Sequence, residues 1–292
     1  MNVGLIGSGM IGKGIGLNLI KNGFKLHVYQ NISKKNTQEL EDFGAKIHKT
    51  LSTIASDCSV IILCLPNSSI VEGIIMGEGG LYSNLSQHSV IVDCSTSDPS
   101  STRKLYEHLK EKNIHLLDAP VTRGPKEAME GRLNTLVGGE KEVFVRYKDL
   151  LSTFSENVIF IGDSGRAHEI KLANNFISMG FTAIVILTIT EMVKKGQDLE
   201  KLDQVMRLGS NYVSSLPLMI DWINNNENEV LQFSIKNAYK DMNYFQKWIK
   251  EDANDTSEIV ESIVNTFYEA SQYFPNEENL PMLFNFFTKE NL

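Results

Sequence analysis

The segment IKLANN, residues 170–175, puts Lys171, Asn174 and Asn175 at the head of the uncharged run FISMGFTAIVILTIT. An ammonium and two amides entering an apolar helix admit two readings. Lys171 is either a solvated residue near a helix start or a proton donor at the floor of a cleft. Positions i and i+4 share one helix face, so Lys171 and Asn175 fall together, with Asn174 beside them and Ala167 one turn earlier.

A second chemical signal lies near the start of the chain. GLIGSGMIG sets Gly7, Gly9 and Gly12 as GxGxxG, directly behind VGLI (3–6) and ahead of the helical pattern MIGKGIGLNLIKNG. Glycines there permit a tight turn, close approach of backbone to a pyrophosphate, and close helix–strand packing. The helix start at Met10 and Ile11 offers free N–H groups to phosphates. Gly23 closes the helix and KLHVYQ (25–30) follows as a second strand, so the motif sits in the βαβ context that gives it meaning. The implied cofactor is NADP or NAD. An acid usually ends the second strand to hold the ribose of NAD, whereas this chain reads Gln30-Asn31-Ile32-Ser33-Lys34-Lys35. Gln30, Asn31 and Ser33 are the residues placed to meet the ribose, and the missing acid tilts the reading towards NADP. Loop lysines that only meet solvent are the plain alternative.

These groups need a scaffold. Apolar runs at 3–6, 25–30, 59–65, 89–94, 115–121, 134–139 and 157–162 alternate with helical stretches, one of which starts after Asp98-Pro99. Runs this apolar are strands covered on both faces, which predicts a mainly parallel, doubly wound α/β sheet. After Gly162 only helical periodicity remains, at 167–195, 199–226, 228–252 and 255–274, followed by a last short helix in PNEENLPMLFNFFTKENL. The expected division is a Rossmann-like domain over 1–162, a long interdomain helix over 163–195, and an all-helical domain over 196–292.

Bulk properties exclude several classes. A net charge of −8, with no run of lysine and arginine, speaks against nucleic acid. The three cysteines lie in or beside apolar runs without CxxC spacing and read as reduced core residues. The six histidines are scattered without HxxxH spacing, which gives a metal site little support. The chain starts straight on an apolar strand, with no basic leader or cleavage site. The run 176–190 reads as too short and too rich in Ser, Thr and Gly to cross a bilayer, and as a helix buried on most sides. A cytoplasmic protein with no membrane partner is the expectation.

LCLPNSS (63–69), VDCSTSDP (92–99), DAPVTRGPKEAMEGRLNTLVGG (118–139) and IGDSGRAHEIKLANN (161–175), together with the glycine loop, resemble the β-hydroxyacid dehydrogenase family. That family includes 3-hydroxyisobutyrate dehydrogenase, tartronate semialdehyde reductase and glyoxylate/succinic semialdehyde reductase. The resemblance runs from residue 3 to about 245. It implies that Lys171 is the catalytic residue and that Asn174 and Asn175 contact substrate. An ammonium suits that role, because it stabilises charge building on a carbonyl oxygen that accepts hydride and then donates the proton.

The family's Asp-Ala-Pro-Val-Ser-Gly-Gly block reads DAPVTRG here, so the resemblance gives Thr122, Arg123 and Gly124 to the substrate's anion. Arg123 replaces a glycine. Its planar fork suits a bidentate anion, as in the 3-sulfolactaldehyde reductase branch. By the same resemblance, Leu65, Pro66 and Thr96 line the nicotinamide side. In FSIKNAYKDMNYF, Lys240 goes to the cofactor and Asp241 lies near the catalytic lysine. Beyond residue 250 the pattern fades.

The reading that results is a reductase of an anionic semialdehyde, of the succinic semialdehyde, glyoxylate, tartronate semialdehyde or 3-sulfolactaldehyde type. A homodimer or homotetramer is implied by the family's helical domains. Imine reductases share the plan but generally lack a lysine at this position. An inactive dinucleotide-binding sensor is the remaining alternative, and it offers no chemical reason to keep Lys171.

Overall fold

Short runs of β-branched and aliphatic residues, most of them followed by a helix, build the first unit of the chain. The computed structural model describes residues 1–30, 34–210, 212–225, 230–251 and 257–289. The chain divides into two compact units, Met1–Lys171 and Leu172–Leu292.

In the first unit the order is β1 (Asn2–Ile6), α1 (Met10–Lys21), β2 (Lys25–Tyr29), α2 (Lys34–Asp42), β3 (Lys46–His48), α3 (Leu51–Asp57) and β4 (Val60–Leu63). Then come α4 (Ser68–Met76), α5 (Leu81–Asn84), β5 (Val90–Asp93), α6 (Pro99–Glu111), β6 (His115–Asp118), β7 (Val121–Thr122) and α7 (Pro125–Glu130). β8 (Leu133–Gly138), α8 (Lys141–Ser152) and β9 (Ser155–Gly162) complete the sheet. The strand order is β3-β2-β1-β4-β5-β6-β8-β7, with β9 also paired to β8. β3 through β6 are parallel, β8 runs antiparallel to β6 and β7, and β9 is parallel to β8. This is the Rossmann-like sheet that the alternation predicts. Its topological switch lies between β1 and β4, where such sheets take dinucleotides.

The central strands are apolar throughout because both faces are covered. VIIL of β4 and VIVD of β5 are buried at every position. One core cluster joins Leu5, Ile15, Val28, Val92 and Phe154, and another joins Ile6, Ile54, Ile61, Ile91 and Leu116 on the opposite face. Helix starts follow their sequence signals, since Asn67, Thr50 and Asp98 cap α4, α3 and α6 through side-chain oxygens.

Two strands escape the sequence reading. β3 is three residues at an edge, too short and polar to show alternation, and β7 is separated from β6 by Ala119-Pro120.

α9 (Arg166–Lys194) crosses the division between the units. Its apolar surface is not buried on most sides: Ile177, Phe181 and Ile184 are 58%, 51% and 56% exposed. They recur at helical spacing as a stripe, while Phe176, Ala183, Ile186 and Ile189 turn to the core of the second unit. The 29-residue helix also contains an 18-residue stretch apolar enough to cross a membrane by length and composition, which the 176–190 run alone does not suggest.

The second unit continues with α10 (Leu199–Leu208), α11 (Ser215–Asn225), α12 (Ile235–Lys250), α13 (Glu258–Tyr273) and α14 (Leu283–Thr288), the last preceded by a 3-10 turn. The single periodicity over 199–226 is therefore two helices. Gly209 ends the first, and Pro217 enters within the first turn of the second. The segment after Tyr273 folds back on α12. Ile235 N–H donates to Glu278 O and Leu280 N–H to Phe233 O, while Leu280 and Leu283 are buried in the core. Phe286 and Phe287 pack partly buried against that same core.

One close approach ties the glycine-loop helix to the motif-bearing α7. A Cβ on Gly14 would stand 2.5 Å from the Ala128 carbonyl carbon, and Asn18 Nδ2 donates to Ala128 O at 2.9 Å. Gly14→Ala gains about 1 kcal/mol of helix propensity but forces α1 and α7 apart, at about 1–3 kcal/mol. We expect a lowered urea midpoint with unchanged m. A raised midpoint would refute the close approach.

Candidate active site

The glycine loop is shaped by contacts that only glycine permits at two positions. Gly7 has φ +102°, and a Cβ there would lie 2.1 Å from Cys64 O at the end of β4. A Cβ on Gly12 would lie 1.9 Å from Gly7 O. Gly9 differs: nothing among the described residues lies within 4 Å of the position its Cβ would take. Gly9 also begins α1 without a side-chain cap, and no acidic residue occupies the first turn. Open space in front of uncapped N–H groups at Met10 and Ile11 fits a pyrophosphate. Met10 itself is exposed. Asn36 Nδ2 and Thr37 Oγ1, on α2, hold Ser8 from behind through its carbonyl and hydroxyl. Gln30 follows β2 and donates its backbone N–H to His48 O. Asn31 and Ser33 lie outside the described residues.

The C-terminal ends of β4 and β5 are bound into one rim. Leu65 N–H donates to Ser95 Oγ at 2.9 Å, and Ser95 N–H and Ser97 Oγ donate to the buried Asp93 carboxylate. Asp98 N–H donates to Ser68 Oγ. Leu65 and Thr96 are half-buried and Pro66 is exposed.

The start of α9 is fixed by a residue far away in sequence. Asp118, fully buried at the end of β6, accepts Gly165 N–H at 2.9 Å, Ala167 N–H at 3.0 Å and His168 N–H at 3.3 Å. These are N–H groups that a helix start leaves without intrahelical partners, and the carboxylate also opposes the positive end of the helix dipole. Burial pushes the Asp118 carboxyl up from its ordinary pKa, while His168 and the backbone N–H groups pull it back. Gly138 makes room for it, because a Cβ there would stand 2.6 Å from both carboxylate oxygens. His168 adds bonds of 2.9 Å to Thr102 Oγ1 and 3.1 Å to Ser95 O. Glu169 is gripped by Arg103 and Arg166. Asp118, His168 and Ser95 lie in the quoted motifs, yet the sequence alone assigns them no role. Their signal is burial, which spacing does not carry.

From this fixed start, Lys171 falls in the second turn and is buried, only 8% exposed. Asn175, one turn on, donates Nδ2 to Asp241 Oδ2 on α12 at 2.6 Å and accepts Asn174 Nδ2 at 3.2 Å. A carboxylate only accepts, so Asp241 sets which way the Asn175 amide faces. Asp241 is 1% exposed. Its other oxygen forms no hydrogen bond among the described residues but lies 3.0 Å from Lys240 Nζ as an ion pair.

The expected anion turn is built differently from a free fork. Arg123 adopts φ +75°, strained for a residue other than glycine. Its guanidinium pairs with Glu156 on β9 and donates to Arg132 O. Gly124 N–H donates to Glu127 Oε2 at 3.0 Å, one of the backbone bonds that hold the Glu127 carboxyl below its ordinary pKa. Thr122 Oγ1 accepts Asn134 Nδ2 at 3.0 Å. Arg123 and Gly124 thus spend donors on internal carboxylates.

Residues 2–162 match the family model for the NAD binding domain of 6-phosphogluconate dehydrogenase. The chain is 30% identical over 221 residues to a 3-hydroxyisobutyrate dehydrogenase of Pseudomonas aeruginosa, covering 76% of this chain and 74% of that one. It is 32% identical over 209 residues to the "Probable 3-hydroxyisobutyrate dehydrogenase, mitochondrial" of Dictyostelium discoideum, covering 71% of this chain and 64% of the relative. A 3-sulfolactaldehyde reductase of Escherichia coli is 31% identical over 182 residues, 62% of this chain and 61% of that one. The matched stretch therefore spans under two thirds of the length of the last two. Among solved structures, a 3-hydroxyisobutyrate dehydrogenase from Salmonella typhimurium has the same fold, with TM-score 0.85 at 17% identity, covering 98% of this chain and 99% of that one. Psf3 in complex with NADP+ and 2-OPP also shares it, with TM-score 0.86 at 22% identity, covering 97% of this chain and 99% of that one. The fold is that of a dinucleotide-binding Rossmann-like domain followed by helices. The chain belongs to the β-hydroxyacid dehydrogenase family.

Asp118→Asn keeps the shape but sets an NH2 group against backbone N–H donors. It should lower stability by about 2–3 kcal/mol, read as a shift in the urea midpoint. An unchanged midpoint would remove Asp118 from its place as anchor of α9.

Proposed function

We propose that this chain is an NAD(P)-dependent oxidoreductase that interconverts a small β-hydroxy acid and its semialdehyde or keto form. In this reading it works as a reductase of an anionic semialdehyde, with Lys171 as proton donor. The observation that carries the proposal is the buried Lys171, one helical turn from Asn175, on a helix whose first turn is pinned by Asp118. Burying a lysine is costly, and proton transfer gives that cost a purpose.

The bound dinucleotide supplies the hydride. Gly7, Gly9 and Gly12, with the N–H groups of Met10 and Ile11, would hold its pyrophosphate. Gln30, Asn31 and Ser33 would meet the ribose, and Leu65, Pro66 and Thr96 would complete the contacts of the first unit with the cofactor. Gln30 in place of an acid supports NADP over NAD. As the substrate carbonyl is reduced, Lys171 passes its ammonium proton to the oxygen. In the oxidative direction the neutral amine takes that proton back. Asp241 fixes the Asn175 amide by hydrogen bond, and Asn174 and Asn175 position the substrate.

Thr122, Arg123 and Gly124 would receive the substrate's anion, which for Arg123 means exchanging Glu156 for the ligand. Internal pairing of this kind lowers affinity for weak anions and favours a strongly acidic group. That supports a sulfonate, as in 3-sulfolactaldehyde, over the carboxylate semialdehydes.

The test is loss of NADPH and NADH absorbance with succinic semialdehyde, glyoxylate, tartronate semialdehyde, methylmalonate semialdehyde and 3-sulfolactaldehyde. We expect turnover of at least one, faster with NADPH. Glu156→Gln should lower KM for that substrate about 5–10-fold while leaving kcat within about 2-fold, because releasing Arg123 alters binding alone. Cofactor binding with no turnover across the panel would contradict the reductase reading. An unchanged KM in Glu156→Gln would remove Arg123 from the anion site.

A further inference from the structure

Away from the candidate active site, three ligating side chains from different elements converge on one point. In the parallel register His27 of β2 pairs with Lys46 of β3 and Tyr29 with His48, so His27 and His48 are diagonal neighbours on one face of the sheet. α3 packs on that face and brings Asp57 from its last turn. Both imidazoles are buried.

The distances are specific. His27 Nδ1 lies 2.9 Å from His48 Nε2. Asp57 Oδ2 lies 3.6 Å from the first nitrogen and 3.7 Å from the second. Two imidazole lone pairs cannot face each other at 2.9 Å with nothing between them, so a proton or a metal cation must bridge them. A proton would satisfy the two rings alone. It leaves unused a carboxylate oxygen, held by Lys46, that stands nearly equidistant from both rings and beyond hydrogen-bond reach. A shared ion would engage all three atoms. A circle through these three atoms has a radius of about 2.0 Å, which is the distance at which Zn2+ binds imidazole nitrogen and carboxylate oxygen.

We infer that His27, His48 and Asp57 form a binding site for a divalent first-row transition ion of the Zn2+ class, with solvent completing the coordination. The three ligand atoms lie within 4.8 Å of one another. Nitrogen and oxygen donors in this proportion suit Zn2+, Co2+ or Ni2+ over Mg2+ or Ca2+. Asp57 and His48 open onto a surface pocket lined also by Lys49, Thr50, Thr53 and Ser56, which gives ion and water a path in. Lys46 Nζ, 2.6 Å from Asp57 Oδ2, is the competing cation. Its side chain is 63% exposed and can swing out when the metal enters. An ion here would staple the three-residue edge strand β3 to β2 and α3. A search for HxxxH spacing misses the site because its ligands come from two adjacent strands and a following helix.

The test uses the full chain stripped with EDTA, titrated calorimetrically with Zn2+ and spectroscopically with Co2+. Wild type should take up one equivalent of Zn2+, and Co2+ should give the visible absorption of a low-coordinate ion. His48→Gln should weaken Zn2+ binding at least ~100-fold and Asp57→Asn about 10-fold. Lys46→Met, which only removes the competing charge on an exposed side chain, should tighten it about 10-fold. The Lys46 and Asp57 variants alter partly exposed groups, so a folding defect in His48→Gln does not decide the matter. No uptake by wild type at ~1 mM Zn2+ would overturn the inference. Affinity unchanged in both Asp57→Asn and Lys46→Met would do so as well.

Discussion

One buried carboxylate governs the geometry on which the proposed chemistry depends. Asp118 sits at the end of β6, inside the sheet, and takes three backbone N–H groups at the start of α9. A helix has four unsatisfied donors at its start, and here the carboxylate that meets three of them belongs to the core rather than to a local cap. The position of Lys171 therefore follows from the sheet and not from a loop. His168 reinforces it by reaching Thr102 on α6 and the carbonyl of Ser95, the residue whose hydroxyl holds Leu65. The rim of the sheet and the first turns of α9 form one hydrogen-bonded network, so a change at Asp118 or Asp93 would act on Lys171 through a chain of named partners.

The second unit has its own version of the same device. Asp241 on α12 orients Asn175, and α12 is held at its N-terminus by Ser234 as cap and by the returning segment around Glu278 and Leu280. The C-terminal stretch, where the family pattern fades, thus has a physical role. It buries Leu280 and Leu283 and fixes the start of the helix that carries Lys240 and Asp241.

Much of this is legible in the sequence, and what is not has physical reasons. Strands such as VIIL and VIVD announce themselves because both faces are covered, and Asp98-Pro99 announces α6. β3 does not, because Lys46, Ile47 and His48 form a short polar edge with no alternation to read. The break between α10 and α11 hides inside one amphipathic pattern, with Gly209 and Pro217 as its faint marks. The stripe of Ile177, Phe181 and Ile184 is exposed because an apolar composition says how much surface is available, not which side is covered. IKLANN and the glycine loop carry the candidate chemistry, whereas the partners of Arg123 and Gly124 do not show. Glu156 comes from an edge strand 33 residues away, and Glu127 lies in the quoted motif with nothing in its spacing to mark it as a partner of Gly124.

If Lys171 delivers the proton, Lys171→Met and Lys171→Arg separate the proton from the charge. On the best substrate, kcat in Lys171→Met should fall at least ~1000-fold. Lys171→Arg, which keeps the charge but cannot release a proton near neutral pH, should be no better than about 10-fold above it. Binding of NADPH, followed by fluorescence, should stay within about 3-fold of wild type in both variants. Full activity in either variant would rule out proton donation by Lys171 and return it to an ordinary residue of a buried helix start.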